Sequence, residues 1–377
     1  MNYLERLNKL QQAMHKESFD GLIYSTGPNF RYFTGVPVKW RREQEPTEPD
    51  CLLIAARNTE PRVIVPASAT HLAEKSPVNV SVVDSPEQVV DILDSLLPDG
   101  RIGTGPERAE CYLTELAAEA QPKADICSAQ HVGEKLRYCK DEKEIEVLRR
   151  AAAMCDEVME EIVDHIRPGI TQTRLEEMIA EVGTSLGAED VSFSPTAAFV
   201  KSDTEPTDQP FVYPKDEGLV PGTSIAFDFG FVLEGYCSDF GRSFYCGPAP
   251  DHISGAYRAL QESQCQLIQR MGPDEMTVSE LFDTIEEALD ERDYGDRLRA
   301  RLPGRGLGHQ IGVDLHENPR LNPEWDDALQ PGMTMAIEPK LWLPGEYYLR
   351  VEDIVLITED GTETFTTFDR ELFELPL

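Results

Sequence analysis

The second half of the sequence contains five side chains that are suited to binding divalent metal ions. They are four carboxylates and one imidazole, in the order Asp228, Asp239, His309, Glu338 and Glu352. Such a set suits Mn, Co, Zn or Fe and does not distinguish among them. Two ions that share bridging oxygens can activate a water molecule for hydrolysis. The set therefore predicts a centre with two divalent metal ions of open identity.

The first two carboxylates lie on neighbouring predicted strands. Asp228 lies in the apolar segment 224–231, and Asp239 lies in the segment 236–244. A tight turn at residues 233–234 would place the two side chains opposite each other, with Cβ atoms ~5 Å apart. Facing carboxylates repel, and a cation between them relieves the repulsion. The alternative is a solvated hairpin face with two acids, but the aromatic residues around Asp228 favour the metal site.

The other three predicted ligands stand in separate short motifs. His309 lies in the glycine-rich segment 306–312, where the backbone can approach a ligand closely. Glu338 follows an apolar run, and strand alternation places Arg350 and Glu352 on one face. Each motif is weak evidence by itself. Together, in one region of the chain, they predict a single site.

Further motifs extend this pattern over most of the chain. In the C-terminal half they are Asp228-Phe229-Gly230, Ser238-Asp239-Phe240-Gly241-Arg242-Ser243, Gly308-His309-Gln310-Ile311-Gly312, His316-Glu317, Ile337-Glu338-Pro339 and Arg350-Val351-Glu352-Asp353. In the N-terminal half they are the segments 29–35 and 136–145. With these motifs the chain resembles the pita-bread metallopeptidases, which include Xaa-Pro dipeptidase (prolidase), aminopeptidase P, methionine aminopeptidase and creatinase. The two-domain layout is similar to the prolidase and aminopeptidase P branch.

The resemblance implies an α+β fold of two parts. Residues 1–130 would form an N-terminal α/β creatinase-like domain, and residues 131–377 would form a C-terminal pita-bread (creatinase/aminopeptidase) domain. Hydrophobic periodicity agrees, since short strands alternate with helices in the first part and blocks of helices and strands follow in the second. The predicted helices cover residues 3–16, 86–97, 142–165, 173–186, 252–271 and 278–292.

The resemblance also implies an activity. The expected reaction is cleavage of the bond between an N-terminal residue and proline, by attack of a water molecule that bridges the two metal ions. The expected partners are short proline-containing peptides, and the expected assembly is a homodimer.

The roles of the five ligands follow from the same resemblance. Asp228 would bind one metal ion, through both oxygens. Asp239 and Glu352 would bridge the two ions. His309 and Glu338 would complete the set of ligands of the second ion.

Three residues would act around the substrate, and one expected residue is missing. By resemblance, Glu338 would accept the proton of the bridging water. His316 would bind substrate or stabilise the tetrahedral intermediate, and Arg350 would orient neighbouring carboxylates. Where these peptidases carry a further His before the first ligand, this chain has Phe211, which cannot donate a proton. Tyr213 is the nearby side chain that could replace it after a small shift.

The missing His keeps other functions open. A hydrolase or lyase of the same fold with another small substrate remains an alternative, because this fold hosts non-peptidases. Creatinase-type enzymes dispense with the metal ligands, and a binding protein derived from a peptidase would be expected to lose them. All five ligands are present here, which counts against both of these readings.

The composition indicates an acidic protein. The formal net charge is −34, with 69 Asp and Glu against 35 Lys and Arg. This excess predicts the acidic shell of a halophilic protein from a salt-rich interior, although it also fits an ordinary acidic protein. The negative field disfavours nucleic-acid binding. No apolar run approaches the ~20 residues of a membrane span, and charges interrupt the first twenty residues, so a cytoplasmic location without membrane binding is expected.

Overall fold

The computed structural model describes residues 1–38, 51–105, 110–201, 216–273, 276–299 and 306–377. These residues form two compact units, Met1–Arg137 and Tyr138–Leu377. Among the described residues, no helix combines the length and the apolar character that crossing a bilayer requires.

The first unit is built on a six-stranded sheet of mixed direction. Its strands are β1 (Gly21–Ser25), β2 (Leu52–Ala56), β3 (Arg62–Pro66), β4 (Val80–Val83), β5 (Arg101–Gly105) and β6 (Asp125–Ser128). Its helices are α1 (Tyr3–Lys16), α2 (Pro28–Thr34), α3 (Pro86–Leu96), α4 (Glu110–Ala120) and α5 (Gln130–Lys135), with a 3-10 helix at Ala67–Lys75. The strand order is β4-β3-β2-β1-β5-β6, and β1 runs parallel to β5 but antiparallel to β2. Apolar strands enclosed by helices give this unit a core of its own.

The second unit contains five helices among the described residues. They are α6 (Glu142–Val163), α7 (Gln172–Ser185), α8 (Asp251–Arg270), α9 (Val278–Asp290) and α10 (Gly295–Arg299). α6 begins at a capping box, in which the Asp141 side chain accepts from the backbone N–H of Glu144 and the Glu144 side chain accepts from that of Asp141. α5 ends at Lys135 and α6 starts only after this cap, so the chain between them is not helical.

The described strands of the second unit form four sheets. The strands are β7 (Asp190–Val191), β8 (Thr196–Lys201), β9 (Thr223–Phe229), β10 (Phe231–Leu233), β11 (Tyr236–Cys237), β12 (Phe240–Cys246), β13 (Gly308–Gln310), β14 (Glu317–Arg320), β15 (Thr334–Ile337), β16 (Lys340–Leu343), β17 (Tyr347–Arg350), β18 (Asp353–Thr358), β19 (Gly361–Thr364) and β20 (Phe373–Leu375). Their orders are β11-β10-β7, β20-β12-β9-β8, β14-β13-β15-β18-β19 and β16-β17. Two large apolar clusters lie between these sheets and the helices, so the sheet residues that face away from the helices are available to form a site.

The hairpin that carries the first two acids has a different register from the predicted one. The turn is at Glu234 and Gly235, which both have positive φ, as the two-residue turn of a tight hairpin requires. The predicted turn at 233–234 was wrong by one residue, and the pairing therefore shifts by two. Asp228 lies opposite Gly241 instead of Asp239. Asp239 lies in the gap between β11 and β12, outside the regular ladder.

Candidate metal centre

The five predicted ligands all lie on or beside strands of the second unit. Asp228 is on β9 and His309 is the middle residue of β13, whereas Asp239, Glu338 and Glu352 lie in short gaps between strands. Strand pairing brings them together. β13 pairs with β15, so that Gly308 is opposite Ile337 and His309 comes close to Glu338. The backbone N–H of Glu352 donates to the carbonyl of Gly241 at 2.9 Å, which joins the last ligand to the first hairpin.

Three of the carboxylates converge on one point. Ligand oxygens of Asp228, Asp239 and Glu352 all lie within 4.8 Å of one another. Asp239 and Glu352 are buried, whereas Asp228 is partly exposed. The guanidinium of Arg350 contacts the Asp228 carboxylate and lies 3.1 Å from Oε2 of Glu352. One cation among three carboxylates leaves a strong negative potential, which is the environment that a divalent ion requires.

His309 and Glu338 form the other side of the same site. Nε2 of His309 lies 3.5 Å from Oδ2 of Asp239 and 3.8 Å from Oε1 of Glu338. Its Nδ1 lies 3.0 Å from the carbonyl oxygen of Gln310, which fixes the ring with Nε2 towards the carboxylates. The structure therefore brings all five predicted ligands to one site.

Two buried atoms support the fit of this site to metal ions. Nε2 of His309 and Oε1 of Glu352 are both buried, and neither has a hydrogen-bond partner among the described residues. An unsatisfied buried polar atom destabilises a protein by about 1–3 kcal/mol. A metal ion supplies the missing partner to both a neutral imidazole and a carboxylate, so these residues fit divalent ions.

The pKa values of the ligands differ strongly within the site. Burial, together with the charges of Asp228 and Glu338, raises the pKa of Asp239 well above its usual range. Burial and the charge of Asp239 do the same for the pKa of Glu352. Burial would also raise the pKa of Glu338, but Lys340 and Arg350 outweigh burial and lower that pKa to about 2. Protons therefore compete with a metal ion at Asp239 and Glu352 more strongly than at Glu338.

Two cations at the site were missed by the sequence analysis. Nζ of Lys340 contacts Oε2 of Glu338, and the Lys340 side chain is only 15% exposed. Arg320 lines the same cavity of about 560 Å³, and it has no ion pair within the part of the chain that the structure describes. Lys340 could have been found from the sequence, since it follows Glu338 by two residues and strand alternation places such pairs on one face.

His316 and Arg350 also take positions close to the ligands. The His316 ring lies 4.5 Å from the His309 ring, between centroids, and its edge points at the other ring's face. Burial and the neighbouring His309 lower the pKa of His316 to about 4, so the ring is neutral at neutral pH. Both side chains line the cavity, where Arg350 is buried and His316 is exposed. Phe211 and Tyr213 lie outside the described residues.

A buried arginine supports the strand end that carries Glu352. Nη2 of Arg242 donates to Oδ1 of Asp353 at 2.9 Å, and Nη1 donates to the backbone carbonyl of Glu352. Asp353 also accepts from Nε of Arg370 at 2.6 Å. This network fixes the backbone on both sides of the ligand, which preorganises its carboxylate.

Comparisons with known proteins agree with this architecture. The family model of metallopeptidase family M24 matches residues 146–359. The model of the creatinase/prolidase N-terminal domain matches residues 6–139. The chain is 27% identical to the putative dipeptidase YkvY of Bacillus subtilis, over the full length of both chains. It is 29% identical to the uncharacterized peptidase YqhT of the same organism, over 67% of this chain and 69% of that one.

Solved structures show the same fold. The prolidase from Thermococcus sibiricus superposes with a TM-score of 0.88 at 24% identity, over all of both chains. The X-Pro aminopeptidase from Thermotoga maritima superposes with a TM-score of 0.84 at 23% identity, over 98% of this chain and 99% of that one. The predicted pita-bread fold with a creatinase-like N-terminal domain is thereby confirmed.

Proposed function

Because the chain belongs to metallopeptidase family M24, we propose that it is a dinuclear metal-dependent hydrolase that cleaves Xaa-Pro dipeptides. The observation that carries this proposal is the convergence of the five ligand side chains on one site, four of which line the cavity. Two buried ligand atoms of this site have no hydrogen-bond partner among the described residues. Two divalent ions would supply a water of lowered pKa and a Lewis acid for the scissile carbonyl.

The ligand roles assign each side chain to one or both ions. Asp228 would hold one ion, and Asp239 and Glu352 would be shared by the two. His309 and Glu338 would complete the second. Asp228 is partly exposed and lines the cavity. Both facts support access of substrate to the carboxylates that the two ions would share.

Two further residues would act on the peptide itself. His316 is neutral at neutral pH, so its ring N–H can donate to the oxygen that becomes negative in the transition state. Glu338 is the carboxylate that we assign as proton acceptor, since its Oε1 faces the ligand cluster. Arg350 contacts Asp228 and Glu352 and holds these two ligands in place.

Arg320 supports a dipeptide as the substrate. It is an exposed guanidinium on the cavity wall, without an ion pair in the described segments, and a guanidinium binds a carboxylate through two parallel hydrogen bonds. The free carboxylate of an Xaa-Pro dipeptide is the group that this arrangement would select. A tripeptide places its carboxylate one residue further away.

The test is hydrolysis of three matched substrates, an Xaa-Pro dipeptide, its C-terminal amide and an Xaa-Pro-Yaa tripeptide. The reactions contain Mn²⁺ or Co²⁺ in molar KCl, with a chelated control. We expect metal-dependent release of the N-terminal residue, with the dipeptide preferred over its amide by about 10². Equal rates for all three would reject dipeptide selection. No cleavage by protein that binds metal would reject the peptidase.

One observation favours a second candidate. By the resemblance, Phe211 takes the place at which peptidases of this type carry a His. No His lies between His165 and His252. The alternative is a metal-dependent hydrolase or lyase that acts on another small substrate in the same cavity. The three matched substrates also decide this alternative, because it predicts metal binding without release of the N-terminal residue.

A further inference from the structure

Lys140 carries a buried ammonium group that contacts none of the five metal ligands in the described structure. Its side chain is 1% exposed, and Nζ lies 3.2 Å from Oε2 of Glu317, whose side chain is 3% exposed. Nζ also donates to Oε1 of Gln310 at 2.7 Å. A buried ion pair adds little net stability, because both charges must leave water. The main effect of this pair is therefore to fix the groups that it joins.

These groups are the chain neighbours of the two histidines at the cavity. Gln310 follows His309, Glu317 follows His316, and Gln310 lies opposite Glu317 in the pairing of β13 with β14. Neighbouring side chains of a strand project from opposite faces. Lys140 thus binds the rear face of the two strands whose front face meets the cavity.

Glu317 also fixes the connection that leads to His316. Residues 311–316 join β13 to β14. Oε1 of Glu317 accepts from the backbone N–H of Asp314 at 3.2 Å. The carboxylate lies against Gly312, where an added Cβ would be 2.7 Å from Oε2. Lys140 therefore holds the carboxylate around which this connection folds.

The backbone that presents Lys140 is itself fixed. The backbone N–H of Lys140 donates to the carbonyl of Gly332 at 2.8 Å. Gly332 has a φ of +90°, and a Cβ there would lie 3.0 Å from the carbonyl oxygen of Lys140. The next residue, Asp141, caps helix α6. The ammonium group is thus held from a rigid segment, as the support of a preorganised site requires.

The two histidines depend on this network to different degrees. His309 lies on β13, which is paired on both sides, with β14 and with β15. His316 lies in the connection, and its ring is 4.5 Å from the His309 ring between centroids. Loss of Lys140 should therefore shift His316 and leave the metal ligand His309 in place.

We propose that Lys140 is a positioning residue for His316. Its ammonium group holds Glu317 and Gln310 so that the connection presents the His316 ring to the cavity. This inference rests on the proposed function, in which His316 donates to the oxygen that becomes negative in the transition state, and it adds the residue that sets the position of this donor.

The test is steady-state hydrolysis of Ala-Pro at saturating Mn²⁺, with bound metal counted by equilibrium dialysis. Lys140→Met removes the charge and keeps the length of the side chain. We expect kcat to fall by about 10–10², with KM changed by less than about threefold and bound Mn²⁺ unchanged. Lys201→Met is the control, since it removes a partly buried lysine that pairs with Glu217 at 3.4 Å on β8, and it should keep wild-type kcat.

A second variant separates positioning from folding. Lys140→Met alone leaves the buried Glu317 charge without its cation and can unfold the protein. The double variant Lys140→Met/Glu317→Met removes both charges and should melt close to the wild type, since apolar pairs often replace buried ion pairs without loss of stability. Its kcat should nevertheless stay low, because the connection has lost its support. Wild-type kcat in this double variant would overturn the proposal.

A double-mutant cycle with His316 identifies the group through which Lys140 acts. His316→Ala removes the donor and should lower kcat by about 10²–10³. Adding Lys140→Met to His316→Ala should then lower kcat by less than about twofold, because residues that act as one unit are not additive. A merely structural role would give the same fractional loss with and without His316.

The outcomes distinguish the inference from the proposed function. Equal fractional losses in the two backgrounds, or a loss of bound Mn²⁺ that parallels the loss of kcat, would overturn the role of Lys140 and leave the proposed peptidase in place. A wild-type protein that binds Mn²⁺ without cleaving Ala-Pro would overturn the proposed function, and the inference would fail with it.

Discussion

Gly241 lies opposite Asp228 in the paired strands β9 and β12, and the space beside its Cα is filled by the side chain of Arg350. A Cβ atom at this position would overlap Cδ of Arg350 and would lie 3.0 Å from Oε2 of Glu352. The absence of a side chain at Gly241 therefore lets Arg350 reach the two carboxylates that it joins.

Gly241→Ala should accordingly disturb the metal centre. The new methyl group displaces Arg350 from Glu352 and leaves this ligand without the partner that orients it. We expect a loss of about 1–3 kcal/mol in the free energy of unfolding and about tenfold weaker binding of Mn²⁺. Chemical unfolding and calorimetry measure the two effects. Gly255→Ala is the control and should keep wild-type metal affinity, since Gly255 is a half-buried position of α8 whose Cβ would meet Oη of Tyr294 and no metal ligand. Wild-type affinity in Gly241→Ala would contradict the positioning of Arg350.

Removing either shared carboxylate should abolish both metal loading and turnover. Asp239→Ala and Glu352→Ala each delete a ligand that we assign to both ions, so neither ion keeps a complete set. We expect less than about 0.3 metal ions per chain after dialysis, measured by elemental analysis beside the wild type. Full activity in either variant would reject the assigned site.

Glu338→Gln should lower the rate much more than substrate affinity. The amide keeps the shape of the carboxylate but cannot accept a proton, so kcat should fall by about 10²–10⁴ with a small change in KM. Steady-state kinetics at saturating Mn²⁺ measure both constants. The saturating concentration compensates for weaker binding of the second ion in this variant. Unchanged kcat would exclude Glu338 as the proton acceptor.

The stabilising effect of metal should increase with pH. Asp239 and Glu352 have raised pKa values in the metal-free fold, so protons compete with a metal ion for these two carboxylates. A carboxylate with a raised folded-state pKa stabilises the fold below its unfolded pKa, and this contribution is lost as pH rises through the folded value. The metal-free protein therefore loses stability on the alkaline side, and bound metal restores it.

Melting temperatures with Mn²⁺ and with chelator measure this linkage between about pH 6.5 and 8. The gap between the two curves should widen as pH rises, because fewer protons compete with the metal. His309 and Glu338 do not oppose this trend, since burial lowers the pKa of His309 and the pKa of Glu338 is about 2. A gap that narrows towards pH 8 would contradict the proton-holding role of the two carboxylates.

The buried pair of Arg242 and Asp353 should dominate local stability. Both side chains are fully buried, and Asp353 also binds Arg370 and Thr366. Asp353→Ala leaves the Arg242 charge without its carboxylate and should cost about 3–5 kcal/mol of unfolding free energy. Glu363→Ala is the matched control, since it breaks the exposed pair with Arg149 and should cost less than about 1 kcal/mol. Urea unfolding measures both losses. Equal losses of unfolding free energy in Asp353→Ala and Glu363→Ala would contradict the prediction.

Local patterns in the sequence were sufficient for most helices. The helix predicted over residues 3–16 is α1, because Leu7, Leu10 and Met14 repeat at helical spacing and are all buried. The helix predicted over residues 173–186 is α7, and the side chain of Thr171 caps it by accepting from the N–H of Arg174. Such elements depend on neighbours within one or two turns, which a sequence displays directly.

The hairpin register depends on one turn, and there the sequence was misleading. The turn uses Glu234 at φ 49°, a conformation that non-glycine residues seldom adopt, and only Gly235 announces it. A displacement of the turn by one residue shifts every cross-strand pair by two. The convergence of Asp228 and Asp239 nevertheless occurs, because the gap between β11 and β12 brings the second acid back to the first.

The cations of the site were harder to predict than its metal ligands. Arg350 was recognised through its two-residue spacing to Glu352. Lys340 follows Glu338 by the same spacing, so strand alternation could have found it. Arg320 reaches the cavity through the pairing of β13 with β14, which no local pattern of the sequence indicates.

The distance in sequence between the metal ligands also has a consequence for protein synthesis. Asp228 and Asp239 leave the ribosome together on one hairpin, whereas Arg350 and Glu352 follow more than a hundred residues later. During that interval the hairpin carries two neighbouring acids without Arg350, the arginine that contacts Asp228 in the folded protein. In the nascent chain this half of the site is therefore an acidic hairpin, which becomes a metal centre when the last strands arrive.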